Sequence, residues 1–311
     1  MPTRIFQGNF MKKAANIFFF SIVLISTIAW AGVPSVSQVE VTDATPGSFA
    51  VTWLASEPSI GTLLVFQADC ATPLTGLPMT AKGSDATGYL KVTVSGLAAD
   101  TSYCYQTSTT SKSTSELTVS PASPALVVTA TAVLRTRSTG TTLLPFANDL
   151  LRTPAVYLPT EADTPEGKLV VLYLDGAKGP VSLLLTSDEK TRYFNMNNLF
   201  EATTGSSVNL IGGERVRISE RHGLSGCVID RFRKVPADQE TTRIRNFETS
   251  PKREDIDFNG TVNILDILRA AGGLGSAKGD VCFNSELDVT GHDRVDQQDL
   301  NSVIGSFDAK P

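Results

Sequence analysis

Between Val36 and about Thr131, short apolar segments alternate with turn residues. Ser48–Ala55 (SFAVTWLA) sets Phe49, Val51 and Trp53 on one face, the two-residue period of a strand. Thr62–Gln67 (TLLVFQ) and Tyr89–Val94 (YLKVTV) are rich in β-branched and apolar residues. Pro46-Gly47, Glu57-Pro58, Gly76 to Pro78 and Gly83-Ser84-Asp85 supply the turns between them. Strands this short and this regular, with no helical period, predict an all-β sandwich.

The region from Gly140 to Phe247 keeps the same character. Lys168–Leu174 (KLVVLYL), Val181–Ser187 (VSLLLTS), Val208–Gly213 (VNLIGG), Arg215–Glu220 (RVRISE) and Cys227–Phe232 (CVIDRF) read as strands joined by Gly- and Asp-containing turns. They predict a second β-sandwich-like domain over 140–248. The period changes only near the C-terminus, where ILDILRAAGGLG reads as an apolar helix ending at a glycine pair. The fold class is therefore mainly β with a small α-helical domain at 253–311, reached through the polar PKRED segment.

The other end of the chain carries an address. Lys12-Lys13 precede an apolar run from Ala14 to Trp30, which closes on Ala29-Trp30-Ala31 before Gly32. A basic start, an apolar stretch and an A-x-A site, in that order, predict a secretory signal peptide over residues 1–31. Met11 stands directly before the two lysines and is a second candidate start. The alternative is an anchor that stays in place. No cysteine follows the run, which argues against a lipoprotein. Export places the mature chain outside the cell or on its surface, with no stable membrane span after cleavage. A net charge of −5 and scattered Lys and Arg exclude a basic stripe for nucleic acid.

VTDATPGSFAVTWLAS, followed later by VTVSGLAADTSYCYQ, resembles a fibronectin type III domain over 34–135. The resemblance implies that Trp53 is the inward core residue of its second strand. It also makes Gly96 to Tyr103 a corner in which Tyr103 hydrogen-bonds back to the chain. In that register Tyr103 and Tyr105 point inward and Cys104 outward, with Cys70 just past the neighbouring strand. The resemblance thus implies a Cys70–Cys104 bridge. Four cysteines in an exported chain allow three pairings, and Cys227–Cys282 is what remains; free thiols are the alternative. The stretch GAKGPVSLLLTSDEKTRYFNMNNLF is similar to carboxypeptidase-regulatory, transthyretin-like modules of surface proteins, and no functional residue carries over from them.

Asp255 to Asp266 (DIDFNGTVNILD) gathers oxygen donors at alternate positions around a glycine. With Asp255 first, side-chain oxygens fall at positions one (Asp255), three (Asp257), five (Asn259), nine (Asn263) and twelve (Asp266). Gly260 is sixth, and Thr261, seventh, offers its carbonyl. This is the ligand order of a calcium loop, because calcium takes six to eight hard oxygens and alternate residues of a tight loop can turn inward together. Asp rather than Glu at the last place, with no helix before the loop, resembles the dockerin type I module. That module has two repeats, and a second frame lies 33 residues on (288 − 255). It holds Asp288, Thr290, His292, Arg294 through its carbonyl, Asp296 and Asp299, with Asp293 in the glycine's place. The alternative is a solvated acidic turn before each helix.

The resemblance implies Ca2+ as ligand and a cohesin-like protein as partner. Ile264-Leu265 and Gln297-Gln298, the tenth and eleventh positions of the repeats, would border the docking face. A module this short buries little apolar surface and generally leans on metal or disulfides.

Catalytic signals are scarce. The two histidines are His222 and His292. Gly223–Cys227 (GLSGC) looks like a nucleophile elbow beside His222, but its last glycine is replaced by Cys227 and no strand-to-helix setting surrounds it. No phosphate loop, zinc motif or dinucleotide fingerprint occurs. Asn259-Gly-Thr261 is formally a glycosylation sequon inside the first loop. The leading expectation is a non-catalytic, calcium-binding adhesion or scaffold-docking protein linked to polysaccharide breakdown. The alternative is a carbohydrate-active enzyme, an O-glycosyl hydrolase, with the middle domain catalytic.

Overall fold

The computed structural model describes residues 33–130, 135–136, 143–144, 155–157, 168–174, 179–184, 193–195, 215–234, 243–244 and 249–308. The segment expected to be a signal peptide and the strand expected at Val208–Gly213 lie outside the described residues, as do Leu185 to Ser187.

Eight strands build the first part: β1 (Val36–Thr42), β2 (Ser48–Ala55), β3 (Ser59–Phe66), β4 (Pro73–Leu74), β5 (Met79–Gly83), β6 (Tyr89–Ser95), β7 (Ser102–Ser111) and β8 (Leu117–Val128). They pair antiparallel into two sheets, ordered β1-β2-β6-β5 and β4-β3-β7-β8. The two-residue alternation read from β2 sends Phe49, Val51 and Trp53 between the sheets. There they meet Leu63 and Val65 of β3, Val92 and Val94 of β6, and Tyr103 and Tyr105 of β7. The buried Trp53 indole donates from Nε1 to Thr109 Oγ1 at 3.0 Å, which satisfies its one polar atom. At the turn into β7, Tyr103 Oη accepts the Ala98 N–H at 2.9 Å. Cys104, on the other side of β7, is bonded to Cys70.

The next segments are β9 (Arg135–Thr136), β10 (Leu143–Leu144), β11 (Ala155–Tyr157), β12 (Leu169–Leu174), β13 (Val181–Leu184), β14 (Tyr193–Asn195), β15 (Arg215–Arg221), β16 (Val228–Lys234) and β17 (Arg243–Ile244). Four of them form an antiparallel sheet ordered β13-β12-β15-β16. The pair β10-β9 and a three-stranded sheet β14-β11-β17 take the rest.

The β13-β12-β15-β16 sheet packs on the outer face of the first sandwich. Leu54 and Tyr89 there meet Leu169, Val171 and Leu184 in one buried cluster. This explains why β2 is buried on both faces from Phe49 to Ala55, where alternation alone predicts a wet outer face. Polar bonds seal the junction. Asp43 N donates to Pro180 O at 2.9 Å, and Lys91 Nζ reaches both Asp43 Oδ2 and Ser182 O at 2.7 Å.

Two helices, α1 (Ile264–Gly272) and α2 (Gln297–Gly305), close the chain. Ile256, Val262, Ala270, Val289 and Val303 form the small core beneath them. Among the described residues, no helix is long and apolar enough to cross a membrane. The helical part is fastened by the Cys227–Cys282 disulfide just before β16, and to β16 itself by Lys234 Nζ 4.3 Å from the Phe258 ring centre and by an ion pair between Arg233 and Glu286.

Candidate metal loops

Each helix begins within a twelve-residue loop whose last three positions are its first turn, and the two loops share one backbone frame. The first carboxylate of each gathers main-chain N–H groups. Asp255 accepts from Asn259 and Gly260, each at 3.0 Å; Asp288 accepts from Gly291 and Asp293 at 2.8 Å and from His292 at 3.0 Å. The last carboxylate of each ties the loop to its helix. Asp266 accepts from Asp257 N at 3.1 Å and Asn263 N at 2.8 Å, and Asp299 accepts from Thr290 N at 3.0 Å and Asp296 N at 2.9 Å. Asn263 and Asp296 serve as N-caps, accepting from Leu265 N and Gln298 N, with Asp266 and Asp299 completing a capping box at each helix.

Both loops need left-handed backbone at their fourth and sixth positions. The first has Phe258 at φ 53° and Gly260 at φ 92°; the second has Gly291 at φ 77° and Asp293 at φ 64°. Glycine relieves one such site in each loop, but at different places. Asp293 occupies its site at small cost because Asp tolerates this region better than most residues. The second loop is therefore not broken by losing glycine at its sixth position, and Gly291 is the signal that sequence reading passed over.

The side chains differ. In the first loop Asp255, Asp257 and Asp266 are 1%, 2% and 0% exposed, and one oxygen of each lies within 4.8 Å of the others. Arg215 approaches from β15, its Nη1 3.9 Å from Asp257 Oδ1 and 3.3 Å from the Asp257 carbonyl. Burial pushes the Asp255 carboxyl up, and the neighbouring Asp266 and Asp257 charges push the same way, against the Gly260 and Asn259 N–H groups. Asn259 Oδ1 accepts from Thr261 N at 2.9 Å, and the Thr261 carbonyl accepts from Asn263 Nδ2 at 3.2 Å. An all-oxygen cluster with this much buried negative charge fits a hard divalent cation.

In the second loop the convergent group is Asp288, His292 and Asp299. His292 Nδ1 lies 2.7 Å from Thr290 Oγ1 and 3.3 Å from Asp288 Oδ1, while Nε2 lies 3.1 Å from Asp296 Oδ2. Thr290 Oγ1 donates to Asp299 Oδ1 at 2.6 Å. The hydrogen bond to Asp296 pushes the His292 imidazole up. Arg294 bridges to Ala277, and Asp293 pairs with Lys278 at 3.2 Å.

Ile264 and Leu265 are 56% and 49% exposed on α1, and Leu268, one turn on, is 60% exposed. Gln297 and Gln298 are exposed at the start of α2.

Elsewhere, Gly223–Ser225 forms a short 3-10 turn. Ser225 Oγ donates to the His222 carbonyl at 3.0 Å, and His222 Nε2 is buried with no hydrogen-bond partner among the described residues. Serine and imidazole are thus not arranged as nucleophile and base.

No protein-family model matches the chain, and no curated protein does. Among solved structures it is similar to a chain of a type II Cohesin-X-Dockerin complex, a C-terminal interface mutant, from Acetivibrio cellulolyticus. That likeness has 15% identity, covers 50% of this chain and 95% of the other, and has a TM-score of 0.19. It is also similar to a marsupial T cell receptor at 12% identity, covering 65% of this chain and 97% of the other, with a TM-score of 0.24. Neither likeness assigns a function.

Proposed function

We propose that this is an exported, non-catalytic calcium-binding protein that docks onto a protein partner. A fibronectin type III-like sandwich and a β-rich middle part carry a C-terminal dockerin-like module. The observation that carries the reading is the first loop: three carboxylates at 2% exposure or less converge on one point. Their mutual repulsion is relieved by a cation placed among them, and Asp255, Asp257 and Asp266 would hold it, with Asn259 and the Thr261 carbonyl beside them. Calcium suits an oxygen-only set on a bent loop. Bound calcium stabilises the loop and so fixes the start of α1, which presents Ile264, Leu265 and Leu268 to a cohesin-like partner.

Calorimetry on the metal-free chain from Gly32 tests this. Calcium binding is expected in the wild type, weakened on the order of tenfold or more in Asp257→Asn, because affinity in such loops follows ligand charge. Surface plasmon resonance against immobilised cohesin domains tests the partner. Binding should need calcium and be lost in Leu268→Asp, with the calcium heat unchanged. Calcium binding without any cohesin response would reject the docking half alone. Reducing sugar released from a polysaccharide panel, and lost on changing a middle-domain carboxylate, would establish the glycosidase reading instead.

A further inference from the structure

We infer that the second loop is closed by its own side chain, the His292 imidazole standing where the first loop would hold its cation. The chain then takes one calcium ion, at Asp255 to Asp266, and the second loop is ordered without metal. The stoichiometry rests on the reading of the first loop given above; the state of the second loop does not.

Backbone frame, helix caps and left-handed sites agree in the two loops, so main-chain geometry does not separate them. The third, fifth and ninth side chains do. In the first loop these are Asp257, Asn259 and Asn263; the two Asn side chains bond to main-chain groups at Thr261, and Arg215 Nη1 reaches Asp257 from β15 at 3.9 Å. In the second they are Thr290, His292 and Asp296, and the ring of His292 spans the space between the carboxylates. Its two nitrogens contact the first position (Asp288, 3.3 Å), the third (Thr290, 2.7 Å) and the ninth (Asp296, 3.1 Å). Those are side chains that a central cation would draw together. Thr290 passes the network on to the twelfth position by donating to Asp299 at 2.6 Å. The carboxylates at the first, ninth and twelfth positions are thereby engaged within the loop, Asp293 pairs outward with Lys278 at 3.2 Å, and the donor set does not fit calcium. One of its members is an imidazole nitrogen, which calcium, a seeker of six to eight hard oxygens, does not favour.

Hydrogen–deuterium exchange on the metal-free chain from Gly32 separates the loops. Amides of the second loop, which include the Gly291, His292 and Asp293 donors to Asp288, should be equally protected in chelator and in calcium. Those of the first, including Asn259 and Gly260, should gain protection with calcium. Second-loop protection that appears only with calcium, or only with zinc, would overturn the inference, whatever the first loop does. Calorimetry gives a second readout: one calcium per chain in wild type, none in Asp257→Ala, and a second event in His292→Asp. Two calcium events in the wild type would overturn the inference. No calcium event in the wild type, with second-loop amides protected in chelator, would overturn the first-loop reading and leave this one standing.

Discussion

The Arg269 guanidinium of α1 lies 4.3 Å from the centre of the Phe232 ring of β16, and Arg215 of β15 lies 5.9 Å from the same ring. Phe232, 7% exposed, is thus contacted by one cation from its own sheet and one from the helical module. Phe232→Ala should cost about 3–5 kcal/mol, the usual loss for a buried aromatic. Phe232→Leu, which keeps most of the apolar volume and removes the π face, should keep most of that stability and lose about 1–2 kcal/mol. Urea unfolding followed by circular dichroism ranks the three proteins; equal midpoints for wild type and Leu would show that the cations contribute nothing.

Glu220 is 7% exposed between two cations, bonded to Lys168 and, at 2.6 Å, to Arg231 Nη1. Neutralising Glu220 weakens the compensation of two buried cations at once, although Arg231 Nε keeps Glu286 Oε1 at 3.8 Å. Glu220→Gln should therefore destabilise by about 3–5 kcal/mol, read as a fall in the urea midpoint with the slope unchanged.

The strands were legible where one face is core and the other is not: SFAVTWLA reads as a strand and is β2, because its period of two is a direct image of the pleat. Burial of its outer face was not legible. Leu54 looks like an ordinary outward residue until a second sheet, far along the chain, covers it. The carboxylate spacing of the first loop is local, so twelve consecutive residues carry it. The filling of the second loop is not a matter of spacing. His292 occupies a ligand position in the sequence, and only its ring placement shows that it bridges Asp288, Thr290 and Asp296. Gly291 was passed over because the expected glycine belongs to the sixth position, whereas the backbone needs left-handed geometry at the fourth as well.

Gly223, at φ 62°, lies so close to the first sandwich that a β-carbon built on it would stand 2.1 Å from the Thr87 carbonyl oxygen. Both the conformation and the contact oppose a side chain. Gly223→Ala should destabilise by more than the ~1 kcal/mol typical of backbone strain alone, because Thr87 must also move. The conservative control is Gly226→Ala, where φ is 72° but no heavy atom stands within 4 Å. A smaller thermal shift for Gly226→Ala than for Gly223→Ala is expected; equal shifts would mean that the close approach is not felt.

Burial pushes the His222 imidazole down from its ordinary value near 6.5, and the Lys168 and Arg231 charges push the same way against Glu220. Its Nε2, buried without a hydrogen-bond partner among the described residues, is consistent with a ring held neutral. The sign of the linkage follows. The unfolded chain protonates His222 at higher pH than the folded one. Its contribution is therefore complete above the unfolded value and is lost as pH falls from there toward the depressed folded value. His292, pushed up by Asp296, acts oppositely in the adjoining window above the unfolded value, where its contribution is lost as pH rises, so the wild-type profile alone is a sum of the two. His222→Gln removes one of them. Comparing urea midpoints at about pH 7.5 and about pH 5.5, the wild type should lose more stability on acidification than the variant. Parallel profiles would show that the His222 ring does not titrate differently in the folded protein.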